Sequence, residues 1–269
     1  MQYLVHVQEL VKMNNYIIKN DDILVIDSNA EYIIEGSGNL TINILKDVNT
    51  KIYLKEISAN LTINLDDYSN LDLVQINYNE NNNSKVINLK EHSNLNFIDL
   101  TINKALDDLK INLNGYKAVT NVKYLVINKN IESKFNCLVT HNAKETESSV
   151  NNVGIALDLS SIWFDTVGKI NKGMAKSNAV QLARGILIGQ NARVVSQPVL
   201  KIDEYDVKAN HGTAIGRMSD DELFYLMSRG LNREEAYKLI LFGLINPIID
   251  AIWYKDESKK FSDAVINLI

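Results

Sequence analysis

Short strings of alternating apolar and polar residues recur along the first 150 residues of the 269-residue chain. Asn-Leu-Thr-Ile-Asn-Ile at residues 39–44 returns as Asn-Leu-Thr-Ile-Asn-Leu at residues 60–65, and related strings lie at residues 70–73, 94–97 and 110–113. This alternation predicts β-strands with one buried face. The strings recur at intervals of about ten or about twenty residues, which fits either a meander of short strands or a β-solenoid.

Asparagine is concentrated in the same part of the chain. Of 35 asparagines, 28 precede Val153, and both prolines lie after it. Asparagine tolerates the left-handed backbone conformation better than most residues, so the corners of a solenoid are one physical cause for this excess. The codon bias of an AT-rich genome is the alternative explanation.

The second half of the chain continues as β structure and then changes to helix. Apolar runs at residues 155–159, 162–167, 180–188 and 199–202 are separated by glycines or polar pairs, which predicts further strands. Ser219 to Glu222 has the form of a capping box, and Gly230 supplies the stop of that helix. Asn232 begins a second helix in the same way.

The second predicted helix is apolar nearly all round. Between Leu239 and Trp253 only Asn246 and Asp250 are strongly polar, and Pro247 permits a kink or a break. A helix of this kind must be covered on both sides, which suggests a partner surface.

Composition narrows the class of protein. The net charge is −5 and the pI is near 5.5, so nucleic acid and anionic membrane surfaces are not expected partners. No apolar run reaches membrane-spanning length, and residues 1–13 lack the pattern of a signal peptide. A single cysteine fits a reducing cytoplasm, and it excludes an internal disulfide or an iron–sulfur cluster held by this chain's thiolates alone.

The inventory of chemical groups is thin. The sequence has no nucleophile-elbow serine of the kind that serine hydrolases use. It also has no phosphate-binding loop and no dinucleotide fingerprint, so no ATP site is expected in this chain. His141 and His211 lie in polar, turn-like settings, where each is either a ligand for iron or zinc or a hydrogen-bonded structural histidine. Cys137 alternates with apolar residues and is interpreted as core. The acidic residues around Glu204 are interpreted as a solvated corner.

Three strings between residues 196 and 243 closely resemble the SufB/SufD family of iron–sulfur cluster assembly proteins. They are Pro-Val-Leu-Lys-Ile at residues 198–202, Asp-Val-Lys-Ala-Asn-His-Gly-Thr-Ala-Ile-Gly at residues 206–216, and Asp-Glu-Leu-Phe-Tyr-Leu-Met-Ser-Arg-Gly-Leu at residues 221–231. The resemblance covers roughly residues 154–252. It implies a mainly β fold, a right-handed parallel β-helix with a small C-terminal α-helical domain. We expect the β-helix core over residues 1–217, with a lead-in over about 1–35, and the helical domain over residues 218–269.

The resemblance also implies a function without catalysis by this chain. Family members pair through their β-helix ends, and their C-terminal helices bind a SufC-like ABC ATPase that carries the ATP hydrolysis. We therefore expect a non-catalytic subunit of a SUF-type complex, in a short form for the family. The residues expected to bind the ATPase are Leu223, Phe224, Tyr225, Met227, Arg229, Leu231, Leu241 and Phe242.

His211 matches the interface histidine of the family in its SufD-like His-Gly form. Ala209 stands where many SufD-like proteins have cysteine. The resemblance implies a transient iron–sulfur cluster as cofactor, with His211 the first candidate ligand. His141 and Cys137, which no family motif marks, are the weaker candidates. The partner is either a SufB-like protein or a second copy of this chain, which would be a self-paired minimal scaffold holding a nascent cluster. A β-helix carbohydrate-active protein is a distant alternative, since no secretion signal or cluster of acids supports it.

Overall fold

The computed structural model describes residues 13–19 and 21–269. Its fifteen strands are β1 (Met13–Ile17), β2 (Asp22–Ile26), β3 (Ala30–Ile44), β4 (Asn49–Leu65), β5 (Asn70–Asn77), β6 (Asn81–Leu89), β7 (Asn94–Thr101), β8 (Ala105–Leu113), β9 (Val119–Lys129), β10 (Glu132–His141), β11 (Glu147–Leu157), β12 (Ser161–Ile170), β13 (Asn178–Ile188), β14 (Arg193–Ile202) and β15 (Lys208–Arg217). Three helices follow, α1 (Asp220–Ser228), α2 (Arg233–Ile249) and α3 (Lys255–Leu268).

The strands form a parallel β-helix with two faces. One face has the order β4-β6-β8-β10-β12-β14 and the other has the order β4-β5-β7-β9-β11-β13-β15. The long strand β4 belongs to both faces, because Asn49 pairs with Asn70 on β5 and Asn60 pairs with Ser84 on β6. A meander would pair consecutive strands antiparallel, whereas all the pairings of the described strands are parallel. The solenoid alternative is therefore the correct one, and the fold class is confirmed.

The coils lengthen along the chain. Leu40 pairs with Leu61 near the start, so one coil spans 21 residues there. Glu147 pairs with Asn178 later in the chain, where one coil spans 31 residues. The shorter interval in the sequence pattern is the distance between the two strands of a single coil.

Asparagine occupies only one of the described left-handed corners, so the expectation that the corners explain its excess is wrong. Ten described non-glycine residues have a positive φ, and Asn130 is the one asparagine among them. These corners are held through the backbone instead. The Tyr68 N–H donates to Glu91 O, and the His92 N–H donates to Tyr116 O, each at 2.8 Å between consecutive coils. Because a backbone bond offsets the conformational cost, the corner does not require a particular side chain.

Asparagine instead forms ladders along the strands. Asn43, Asn64, Asn88 and Asn112 occupy successive coils in register. Each Nδ2 donates to the Oδ1 of the preceding asparagine, at 2.8, 2.9 and 2.9 Å. Stacked amide side chains satisfy one another in this geometry, as in other in-register parallel sheets. The asparagine excess therefore has a structural role on the strands.

Aliphatic stacks fill the interior of the β-helix. Ile42, Ile63, Ile87 and Ile111 are in-register neighbours on β3, β4, β6 and β8, and all four are fully buried. Full burial of each such side chain stabilises the fold by about 1.5–3 kcal/mol. The alternation in the sequence repeats arises from this inward stack.

The helix ends agree with the sequence prediction. Ser219 is the N-cap of α1 and accepts a hydrogen bond from the Glu222 N–H, which is one of the two bonds of the predicted capping box; the return bond from the Glu222 side chain is not made. Gly230 follows the helix with φ +100°. Asn232 and Glu235 make both bonds of a capping box at the start of α2. Helix α2 continues through Pro247 to Ile249. Helix α3 had no counterpart in the sequence prediction.

Helices α2 and α3 pack on the outer side of the second sheet face. Leu241 and Ile245 of α2 and Phe261 of α3 share one apolar cluster with residues of β5, β7, β9 and β11, such as Ile76 and Ile127. The sheet of the same chain therefore covers one side of α2. The other side, which carries Leu239, is exposed, so the expected cover on both sides is absent from the described chain.

None of the described helices is long and apolar enough to cross a membrane. The predictions about a signal peptide over residues 1–13 and about the start of the lead-in fall almost wholly on residues 1–12, which lie outside the described residues.

Candidate functional site

The β-helix has an open end formed by β14 and β15. Each of these strands is the last on its face and pairs with one neighbour, so one backbone edge of each has no partner strand in the part of the chain that the structure describes. Nearly every residue of β15 is exposed. An unpaired, exposed strand edge is a template for association with another chain. We call β14 and β15 together the open end.

His211 lies on β15 at this open end. It is in register with Gln181 of β13, which is buried in the interior of the β-helix. In-register neighbours of a parallel sheet point to the same side, so the His211 side chain also lies on the inward side. His211 is exposed because β15 is the last strand of its face. The imidazole is thus available to a molecule that covers the open end.

His141 has a different environment from His211. It is fully buried, with Nδ1 at 2.7 Å from Thr146 Oγ1 and Nε2 at 2.9 Å from Ser148 Oγ. Burial lowers the pKa of His141 to about 4, which keeps the ring neutral. Both ring nitrogens are occupied, so this geometry fits the structural alternative and leaves no nitrogen for a metal.

Cys137 lies in the interior of the β-helix. Cys137 is 2% exposed and belongs to the main apolar cluster. Burial and the nearby Asp107 carboxylate raise the pKa of the Cys137 thiol to about 12. A thiol of this kind is a poor metal ligand, because the thiolate is the form that binds. The structure agrees with the interpretation of Cys137 as a core residue.

A buried polar cluster in the same interior was missed by sequence reasoning. The fully buried Lys85 pairs with Asp107, and the pKa of the nearby Asp99 is raised to about 7 by burial and by Asp107. Asn77 Nδ2 donates to Asp99 Oδ1 at 3.2 Å. These residues alternate with apolar neighbours in the sequence, but only the coil register shows that they meet.

No group of three or more His, Cys, Asp or Glu side chains in the described residues could hold a metal ion. Glu204, in the acidic corner, accepts hydrogen bonds from the backbone N–H groups of Gly173, Tyr205 and Asp206. These bonds lower the pKa of the Glu204 carboxyl. The corner is exposed, as expected for a solvated turn.

The residues expected to bind an ATPase fall into two groups. Phe224 is 75% exposed, and Tyr225, Met227 and Arg229 are exposed beside it on α1 and its C-terminal end. The Arg229 guanidinium lies 5.3 Å from the centroid of the Tyr225 ring. We call these four residues the α1 patch.

The other four residues lie deeper. Leu223 and Leu241 are buried within this chain, while Leu231 and Phe242 are half-buried. Leu241 has no exposed surface because α2 packs on the chain's own sheet. In this structure Leu223 and Leu241 are not exposed for direct contact with a partner, and their expected part in ATPase binding stays a prediction.

Comparison with known proteins identifies the family. The family model for the SufBD core domain of the SUF system for iron–sulfur cluster assembly matches residues 26–244. The iron–sulfur cluster assembly protein SufD of Bacillus subtilis is 34% identical over 133 residues, which cover 49% of this chain and 30% of that relative. SufD of Escherichia coli is 28% identical over 149 residues, which cover 55% of this chain and 35% of the relative.

A SufBD family protein of Synechocystis is 40% identical over 76 residues, 28% of this chain and 17% of the relative. The matched part of the chain spans about a third or less of the length of these relatives. The family model nevertheless covers most of this chain, including coils well before the strings that carried the resemblance. The chain therefore belongs to the SufB/SufD family of iron–sulfur cluster assembly proteins, on its SufD-like side.

Proposed function

We propose that this chain is a non-catalytic, SufD-type subunit of a SUF complex, which pairs with a SufB-like protein through its open end. The observation that carries the proposal is the uncovered edge of β15 with His211 on its inward side. Pairing at this edge would satisfy the free backbone groups of the strand and would cover the imidazole.

The ligand set of the chain favours a SufB-like partner over a second copy. A nascent iron–sulfur cluster is the cargo of such a complex, and its iron is bound chiefly by thiolates. At the open end this chain offers the His211 imidazole. Its single cysteine is buried, and burial raises the pKa of the thiol so that it stays protonated. A second copy would add another imidazole and no accessible thiol. The self-paired scaffold is thus the weaker alternative.

The α1 patch is the proposed binding site for a SufC-like ABC ATPase. It combines an exposed phenylalanine, tyrosine and methionine with an arginine, which are the residue types enriched at the centres of protein interfaces. Helix α1 follows β15 directly, so a movement of the ATPase would act on the strand that forms the open end. In this proposal the ATPase carries the ATP hydrolysis, and the complex works in a reducing cytoplasm.

The pairing can be tested by replacing either of two exposed alanines with glutamate. Ala209 lies on the inward side of β15, whereas Ala251 follows α2, borders residues of β5, β7 and β9, and is not part of the open end. Mixed with the SufB-like protein of the same organism, the native chain and Ala251→Glu should give a heterodimer in light-scattering chromatography. Ala209→Glu should give separate subunits, because it places a carboxylate in the contact. A heterodimer that forms equally well with Ala209→Glu would refute pairing through the open end.

A further inference from the structure

Gln181 is the buried polar residue beneath His211. It is 4% exposed and lies on the inward side of β13. Its Nε2 donates to the carbonyl oxygen of Val199 on β14 at 3.3 Å, while its Oε1 is buried with no hydrogen-bond partner among the described residues. A buried amide oxygen without a partner destabilises the folded state, so its presence needs an explanation.

Among the nearest positions on its own sheet face, Gln181 has one candidate donor for this oxygen. Along β13 the inward neighbours are Ala179 and Ala183, which carry no polar side chain. Across the sheet the in-register neighbours are Val150 on β11 and His211 on β15. His211 is therefore the one polar side chain among these four positions.

The interior is shaped to orient the amide. A Cβ atom at Gly168 would lie 2.9 Å from Gln181 Nε2, so the missing side chain at Gly168 leaves the room that the amide occupies. Because Nε2 is bonded to the Val199 carbonyl on β14, Oε1 is the amide atom left to accept a bond from another side chain. Adjacent strands are about 4.8 Å apart, which is within the reach of a glutamine side chain and an imidazole.

We infer that Gln181 is a positioning residue for His211: the exposed imidazole, which makes no bond to Gln181 in this structure, turns inward and donates its Nδ1–H to Gln181 Oε1. This bond fixes the tautomer with an unprotonated Nε2, the nitrogen farther from the backbone. Histidines that act through one ring nitrogen are commonly oriented in this way through the other. The inference rests on the proposed function only for the use of Nε2, not for the bond itself.

The test uses the full chain without metal or partner, labelled with ¹⁵N at histidine. Long-range proton–nitrogen spectra, recorded at a pH where the ring is neutral, distinguish the two tautomers. We expect His211 of the native chain to carry its proton mainly on Nδ1, whereas a free imidazole side chain prefers Nε2–H. Gln181→Leu should return His211 to the Nε2–H form, and Gln181→Glu should retain the Nδ1–H form because a carboxylate also accepts.

Gln75 provides the matched control, since it is another buried glutamine with an unpartnered Oε1, placed on β5 far from the open end. Gln75→Leu should leave the His211 spectrum unchanged. A native spectrum dominated by Nε2–H, or a spectrum that Gln181→Leu does not change, would overturn the inference. The native spectrum decides even if Gln181→Leu fails to fold. Because no partner is present, this result is independent of the Ala209→Glu pairing test.

Discussion

Lys85 and Asp107 form an ion pair inside the β-helix, with the lysine fully buried and the aspartate almost so. They lie on consecutive coils of one face, β6 and β8. Tyr124 adds its hydroxyl, which lies 3.4 Å from Asp107 Oδ2. Removing either residue of this buried ion pair would leave the other charge unpaired in a medium of low dielectric constant, which is strongly destabilising.

We therefore expect Lys85→Met to destabilise the chain by about 3–5 kcal/mol, the usual cost of breaking a buried pair. The double variant Lys85→Met with Asp107→Leu should recover most of this loss, since no unpaired charge remains. Urea unfolding followed by circular dichroism measures both. Equal instability of the single and double variants would show that the cost comes from packing and not from charge.

The titration of Asp99 makes the stability of the folded chain depend on pH. Burial and Asp107 raise the pKa of Asp99 to about 7 in the folded chain, against an unfolded value of about 3.8. The folded state thus binds the extra proton, and its stabilising effect is full below the unfolded pKa and is lost as the pH rises from about 4 to about 7. Asp99→Asn should remove this decline. The measurement is the urea midpoint from pH 4 to pH 8, and an unchanged profile in Asp99→Asn would contradict the assignment.

The titration of His141 changes stability in the opposite direction over nearly the same range of pH. Burial lowers the pKa of His141 from 6.5 to about 4 in the folded chain, so the unfolded state takes up the proton first. Its contribution to stability is present above pH 6.5 and is lost as the pH falls toward 4. Compared with the native chain, His141→Gln should lose less stability on acidification. A steeper acid decline in His141→Gln would contradict the neutral, buried state of the ring.

The asparagine ladder can be tested at its middle. Asn88 donates to Asn64 and accepts from Asn112, so Asn88→Ala removes two hydrogen bonds of the ladder. At a net value of about 0.5–1.5 kcal/mol for each bond, we expect a loss of about 1–3 kcal/mol. Asn267→Ala, at an exposed position of α3, should change stability by less than about 0.5 kcal/mol. Thermal or urea unfolding compares the stability of the two variants directly. Similar losses of stability in both would show that the ladder does not stabilise the fold.

The α1 patch predicts the effect of charge on ATPase binding. Phe224→Asp should weaken binding of the SufC-like ATPase by at least about tenfold, or about 1.4 kcal/mol, with little effect on folding because the side chain is exposed. Ile266→Asp, at an exposed apolar position of α3, should bind as the native chain does. Isothermal titration calorimetry with the purified ATPase gives the constants. Equal affinities for the two variants would remove the α1 patch from the binding site.

The strands and helix ends were predictable because their signals are local. Alternation around Ile42 and Ile63 reports a buried face, and the side chains of Ser219 and Asn232 cap their own helices. The burial of Leu241 was not predictable, because it depends on which surface α2 packs against. An apolar side chain in a helix pattern looks the same whether its cover is the chain's own sheet or a partner.

The site was predictable in part for the same reason. His211 was found through the strings around it, but its relation to Gln181 depends on a coil of 30 residues and on the register of β13 with β15. The same holds for Lys85 and Asp107, whose meeting depends on the length of the coil between them. The corners mislead for a different reason. Their backbone bonds accept residues as different as Tyr68 and His92, so asparagine content is no guide to them.

The open end is the proposed pairing surface. Hydrogen–deuterium exchange of the native chain, alone and with the SufB-like protein of the same organism, tests it most directly. We predict that the backbone amides of β14 and β15 exchange more slowly in the complex, with the coils around β5 and β6 unchanged. A complex that forms while exchange in residues 193–217 stays as in the free chain would contradict the account.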